Sequence, residues 1–242
     1  MNVYKIQNSN EIKELESERA IGIAFSNEAA EAYIEKGYAC ILVSKDSDAI
    51  FGADALVYDE ADLDDEYMEH VYKRHYKMLC DVLETERTFV REIGESDYEE
   101  LKELYSHPEV TRFLEPLFEE EKEKQYQRDY YDNIYAFYDF GMWGVFDKKS
   151  GRMIGRCGID PHEMGNELGY IIHPDFQRKG LAFEVCTAII DYASEIGLDE
   201  LWCKIDKENV ASVGLAKKLG FGFVKEDWYK LDLKLLFTAL HP

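Results

Sequence analysis

Six consecutive residues, Gln177-Arg178-Lys179-Gly180-Leu181-Ala182, have the types and order needed to hold a polyanion. They follow an apolar run ending at Ile172. They open a segment over 179–196 in which Leu181, Val185, Ile189, Tyr192 and Ile196 recur at helical spacing. A loop entering a helix leaves the first backbone N–H groups without carbonyl partners, and the helix dipole adds partial positive charge there. Together these suit a pyrophosphate. Gly180 permits close backbone approach, and the small Ala182 keeps the first turn open. Other chemistry is sparse. His70 and His75 are five residues apart, poorly placed for one helical face, and no Cys/His cluster completes a metal site.

The elements that must position this loop alternate between strands and helices. Residues 1–84 read as a small α/β unit. It comprises an amphipathic helix over 9–19, strands at 21–25, 38–43 and 53–58, and helices over 28–36 and 64–78. Ser26-Asn27 offers an N-cap for the second helix and Gly37 a stop. The alternation suggests a short parallel sheet of flavodoxin-like or half-Rossmann type, without the Gly-x-Gly-x-x-Gly fingerprint of dinucleotide sites. Residues 85–242 read as a second domain. Its strands are expected at 85–93, 143–147, 153–159, 167–172, 201–205 and from 223 onward, and its helices at 96–106, 116–138, 179–196 and 210–219. Tyr126, Tyr130, Ile134 and Phe137 share one helical face, which predicts core packing.

Composition narrows the function classes. A hydrophobic fraction of 46% with 32% charged residues describes a globular chain. No apolar run approaches the roughly 20 residues that span a bilayer, and residues 1–5 lack the features of a secretory signal. Five widely spaced cysteines fit free thiols, so the cytoplasm is the expected compartment and no membrane partner is expected. The net charge of −22 argues against nucleic-acid binding. It favours a cationic partner by steering, or is simply a solvated acidic surface.

The six-residue loop does not stand alone. With the segments Glu167-Leu168-Gly169-Tyr170-Ile171-Ile172-His173-Pro174, Asn209-Val210-Ala211-Ser212 and Lys218-Leu219-Gly220-Phe221, it resembles motif A and its neighbours in the GNAT N-acetyltransferase superfamily. Thr85–Arg91, His107–Val110, Phe113-Leu114 and Ile154–Ile159 are similar to the branch that acetylates ribosomal-protein N-termini. The resemblance covers residues 85–233 or so. It implies an α+β fold with a mixed, mostly antiparallel central sheet, and acetyl-CoA as co-substrate.

It further implies that the strand at 167–172 and the one at 201–205 splay apart around the pantetheine arm. Ile171 and Ile172 would pair with that arm. The segment Gln177, Arg178, Lys179, Gly180, Leu181 and Ala182 would take the pyrophosphate, and Asn209 would hold the arm from the other side. Arg178, Lys179, Lys217 and Lys218 are the local basic cluster, or ordinary surface cations. Glu167 is the candidate base, directly or through a water, with an N–H near Ile172 as oxyanion donor. Many relatives place a tyrosine acid seven residues after the Asn, where this chain has Ala216. Ser212 is the substitute, either as proton donor or as a helix-capping hydroxyl. A carboxylate used by some relatives on the following strand is replaced by Lys204.

The implied activity is acetylation of a primary amine on a small molecule or peptide. A non-catalytic acyl-CoA sensor is the reading from another class. Aromatic residues between Tyr126 and Trp143 could face an ammonium acceptor. The N-terminal unit is left with dimerisation, as a homodimer, or ligand binding as its role.

Overall fold

A computed structural model describes residues 1–6, 19–45 and 52–234, and the chain divides into two compact units, Met1–Cys80 and Asp81–Pro242. In the first unit, strands β1 (Val3–Ile6), β2 (Ile21–Ala24), β3 (Ala39–Val43) and β4 (Ala55–Val57) form a parallel sheet in chain order. Helix α1 (Asn27–Glu35) links β2 to β3, and α2 (Asp65–His75) follows β4. The strands β2 and β3 are apolar throughout because both faces are covered. Ala24, Cys40 and Leu42 pack with Ala29, Ala30 and Tyr33 of α1, while Ile21, Ile23 and Ile41 pack with Met68 and Val71 of α2.

The Ser26 hydroxyl accepts from Ala29 N at 3.2 Å, and Gly37 takes φ +69 just past α1, as the sequence predicts. The order β1-β2-β3-β4 never reverses, as in half of a Rossmann sheet and unlike a flavodoxin-like one. Strand β1 was not expected, and of the helix expected over 9–19 all but Arg19 falls outside the described residues.

In the second unit, the described residues form a sheet of eight strands in the order β11-β12-β10-β9-β8-β7-β6-β5. In chain order these are β5 (Asp81–Glu84), β6 (Thr88–Arg91), β7 (Met142–Asp147), β8 (Met153–His162), β9 (Gly165–Ile172), β10 (Glu200–Lys204), β11 (Gly222–Lys225) and β12 (Trp228–Asp232). Strand β5 precedes the expected boundary at residue 84 and pairs antiparallel with β6. Helices α3 (Tyr98–Tyr105), α4 (Pro108–Thr111), α5 (Glu120–Tyr130) and α6 (Ala136–Tyr138) lie between β6 and β7. Helix α7 (Leu181–Glu195) joins β9 to β10, and α8 (Val210–Lys218) joins β10 to β11. No helix among the described residues is long and apolar enough to cross a membrane.

Every pairing in this sheet is antiparallel except β9 with β10. Strand β9 is in register with β8 at every residue from Gly165 to Ile172. Against β10 it meets at Glu167↔Trp202 alone. The sheet is therefore open between β9 and β10 beyond Glu167. Gly155 makes the tight β8–β9 contact possible, since a Cβ there would lie 2.3 Å from the Ile171 carbonyl oxygen.

Two expectations of burial are corrected. A π-helical turn (Tyr131–Tyr135) follows α5 and rotates the helix face. Tyr130, Tyr131 and Tyr135 are buried, whereas Tyr126 is 40% and Phe137 76% exposed, so the 126/130/134/137 stripe is not the core. On α7 the stripe holds for Leu181, Val185 and Ile189, but Ile196 is exposed and Cys186, Ile190 and Ala193 are buried instead.

Candidate active site

The open edge of β9 sets the geometry. His173 N donates to Ile154 O at 2.8 Å, so that amide points toward β8. Successive amides of a strand alternate, which turns the N–H groups of Tyr170 and Ile172 toward the gap facing β10. The side chain of Gln177 reaches back to this edge and donates to Ile172 O at 2.8 Å.

Below the gap, Arg178 and Gly180 both have left-handed backbones, with φ +57 and +81. The first bond of α7 runs from Glu184 N to Gly180 O at 3.0 Å, and no side chain caps the helix. The amides of Leu181, Ala182 and Phe183 therefore have no helical partner and form an anion-binding nest. Two anchors hold this loop. Arg87 donates from Nη1 to Lys179 O at 2.8 Å and from Nε to Glu184 Oε2 at 2.7 Å. The Thr85 hydroxyl and the Arg87 amide complete the shell around Glu184, whose carboxyl is held below its ordinary range by these bonds against the opposing effect of burial.

The second anchor is His173. It is buried, accepts Asp175 N at Nδ1 (3.1 Å) and meets Glu103 Oε1 from Nε2 at 3.0 Å. The partners assign the ring proton to Nε2. His107 meets the same carboxylate oxygen at 3.3 Å. Glu103, His107 and His173 thus bring potential metal-ligand atoms within 4.8 Å of one another, a grouping the sequence does not announce. A metal at His173 Nε2 would have to displace the proton that bonds Glu103, so the geometry is that of a hydrogen-bonded strut from α3 to the loop.

A cavity of about 550 Å³ runs along the gap, within the range of small-molecule sites. It is lined by Glu167, Ile171, Ile172, Gln177, Arg178, Gly180, Leu181, Ala182, Asn209 and Ser212, so these predicted residues come together. Lys179 is not in the lining. Its ammonium donates to Asp175 O at 2.7 Å and lies 5.2 Å from the Phe176 ring centroid. Of the other predicted cations, Lys218 lines the cavity, over the Phe183 ring at 4.0 Å, and Lys217 does not. Asn209 caps α8 by accepting Ser212 N at 3.2 Å, so the capping role belongs to Asn209 and not to the Ser212 hydroxyl. Ala216 is buried away from the cavity, and Leu215 lines it.

Tyr170 was not singled out from sequence. It lines the cavity, and its hydroxyl donates to Ser212 O at 2.9 Å. Glu167 receives the Lys204 amide at 3.3 Å, and burial raises its carboxyl above the ordinary glutamate value. Glu109, Val110, Phe113 and Leu114, from α4 and the segment after it, also line the cavity.

A largely antiparallel sheet opened at one parallel pair, with a nest of amides under the gap, defines a GNAT-type transferase fold. The family model described as Acetyltransferase (GNAT) domain matches residues 87–222, more than half of the chain. The uncharacterized N-acetyltransferase YoaA of Bacillus subtilis is 30% identical over 148 residues, covering 58% of this chain and 82% of that one. A GNAT-family acetyltransferase structure from Bacillus anthracis superposes with a TM-score of 0.54 at 21% identity, over 64% of this chain and 99% of that one. A putative ribosomal-protein-serine acetyltransferase from Vibrio cholerae shares the fold with a TM-score of 0.54 at 22% identity, over 63% and 97% of the two chains. The chain belongs to the GNAT acetyltransferase family and is an N-acetyltransferase.

Proposed function

We propose that the protein transfers the acetyl group of acetyl-CoA to a primary amine of a small molecule or peptide. The observation that carries this reading is the convergence of the open β9 edge, the uncapped α7 N-terminus and the half-buried Glu167 on one cavity. The donor supplies an activated thioester, and the residues supply binding, orientation and proton handling. The amides of Gly180 to Phe183, with Arg178, would hold the pyrophosphate. The Tyr170 and Ile172 backbone would pair with the pantetheine and present N–H groups to the carbonyl oxygen. Asn209 keeps its Nδ2 for the opposite side, since only its oxygen is used in capping.

Glu167 is the base in this reading. It lies three residues from Tyr170, about 10 Å along the strand, so the amine proton reaches it through water. Ser212 and the Tyr170 hydroxyl bonded to its carbonyl form the wall from which the departing sulfur would be protonated. Within the family, Thr85–Arg91, His107–Val110 and Ile154–Ile159 favour the branch acting on ribosomal-protein N-termini. Residues 85–242, with β5, serve as the catalytic domain, and the preceding parallel-sheet unit as an accessory domain. The division of the chain at Cys80 supports this reading.

The test is release of free coenzyme A from acetyl-CoA by the full chain, against polyamines, basic peptides, amino acids and aminoglycosides. Acceptor-dependent release is expected. Binding of acetyl-CoA with no release for any primary amine would refute transfer.

A further inference from the structure

The gap between β9 and β10 is closed at one end and underneath. At the end, Cys203 Sγ donates to Leu168 O at 3.3 Å and the Lys204 amide to Glu167 Oε1 at 3.3 Å, just beyond the last register pair. Underneath, Leu168, Tyr170 and Ile172 leave β9 on one face, while Glu167, Gly169 and Ile171 leave it on the other. On the first face the Tyr170 phenol crosses from β9 to α8, where its hydroxyl donates to Ser212 O at 2.9 Å. Tyr170 and Ser212 both line the cavity, so the ring runs beneath the gap as its floor. The same face carries the buried thiol of Cys157, the register partner of Tyr170 on β8, with the Cys186 sulfur of α7 at 3.6 Å from it. The ring therefore stands between the cavity and a part of the core built from small side chains.

These walls fix a length. The Tyr170 amide faces the gap two residues, about 7 Å along the strand, from the Leu168 carbonyl at which the gap stops. Contact between carbon atoms at about 3.5–4 Å uses half of that distance. A thioester carbonyl seated on the Tyr170 amide then has room towards the closed end for one or two carbons. The Glu167 face is the side from which the amine arrives, so the closed end and the floor set the limit on the acyl tail.

We infer that Tyr170 is the specificity-determining residue for the acyl donor, its ring admitting acetyl or propionyl thioesters and shutting out longer chains. The inference rests on the acetyl-transfer reading and adds which donors that site accepts. In a site of fixed size one methylene too many is worth about 10- to 200-fold. A methylene that finds apolar room instead tightens binding about fourfold.

The experiment is calorimetry on the full chain with coenzyme A and with its acetyl, butyryl and hexanoyl thioesters, without an acceptor. The wild type is expected to bind the acetyl thioester at least about tenfold tighter than the hexanoyl one. Tyr170→Ala removes the floor and should bring the hexanoyl thioester level with the acetyl one or below it in Kd. Tyr170→Phe keeps the ring and should keep the limit. Binding of coenzyme A itself reports that each variant is folded. If Tyr170→Ala loses it, Tyr170→Leu, which shortens the floor and leaves it apolar, carries the same comparison. Equal binding of all thioesters by the wild type overturns the inference and leaves the donor site standing. A wild-type limit that persists in the Ala and Leu variants also overturns it, as does a limit lost in Tyr170→Phe, since ring volume is the cause invoked. No binding of coenzyme A or of any thioester removes the acetyl-transfer reading and the inference together.

Discussion

Replacing Glu167 by Gln separates catalysis from packing, because the amide keeps the shape and can still accept the Lys204 N–H. A general base contributes about 10² to 10⁴ in rate. Glu167 works through water at about 10 Å from the nearest open amide, so the low end applies. The expected loss in kcat is about 100-fold, or about 2.7 kcal/mol of transition-state stabilisation. Acetyl-CoA affinity should not change. Burial raises this carboxyl above its ordinary 4.5, so the ionised form, and with it the rate, should fall away on the acidic side at a pH above that value.

The stability sign runs the other way. A carboxyl whose folded value is raised costs stability as pH climbs through the ordinary value to the raised one. Glu167→Gln should therefore melt higher than the wild type at neutral pH and equally below about pH 4. The assay is steady-state coenzyme A release from pH 5 to 9, paired with melting curves over a wider range. A kcat within threefold of wild type, with the acidic limb intact, would sink the assignment.

Other consequences concern the loop and the two sheets. Arg87→Met removes charge-assisted bonds to Lys179 O and Glu184 from a side chain that is 40% exposed. The low end of such contributions, about 1.5 kcal/mol, predicts roughly tenfold weaker acetyl-CoA binding by calorimetry. Gly155→Ala drives a Cβ into the Ile171 carbonyl oxygen and should destabilise the second unit by about 1–3 kcal/mol in denaturant melts. In the first unit, the bond to Asp54 raises the His75 value, with burial opposing. That stabilisation is full below the ordinary histidine value and disappears as pH rises through the raised one. Asp54→Asn should return the His75 NMR titration towards the ordinary value and flatten the pH dependence of hydrogen exchange in this unit.

Much of the cavity was legible because its parts are local. Gly180 next to a helical period, and Asn209 before another, carry their geometry in two or three residues. Strands β2 and β3 were readable as apolar runs between an N-cap and glycine stops. What escaped is informative. Strand β1 is four residues long and takes its conformation from pairing with β2, so its own pattern carries no signal. The aromatic stripe after Tyr126 was misassigned because a π-turn adds a residue to the helical repeat. Arg87 and Glu103 were missed as supports, since they meet Glu184 and His173 across 97 and 70 residues of chain.

The sequence by itself determined most of the strands and helices, and that a loop enters α7 with its first amides left free for an anion. These depend on neighbours a few residues apart, through backbone sterics and hydrogen-bond periodicity. Only the tertiary structure decided that β9 parts from β10 after one register pair and that Lys179 turns away from the cavity. Those outcomes are set by how residues distant in sequence compete for the same space and the same hydrogen-bond partners, which no local pattern encodes.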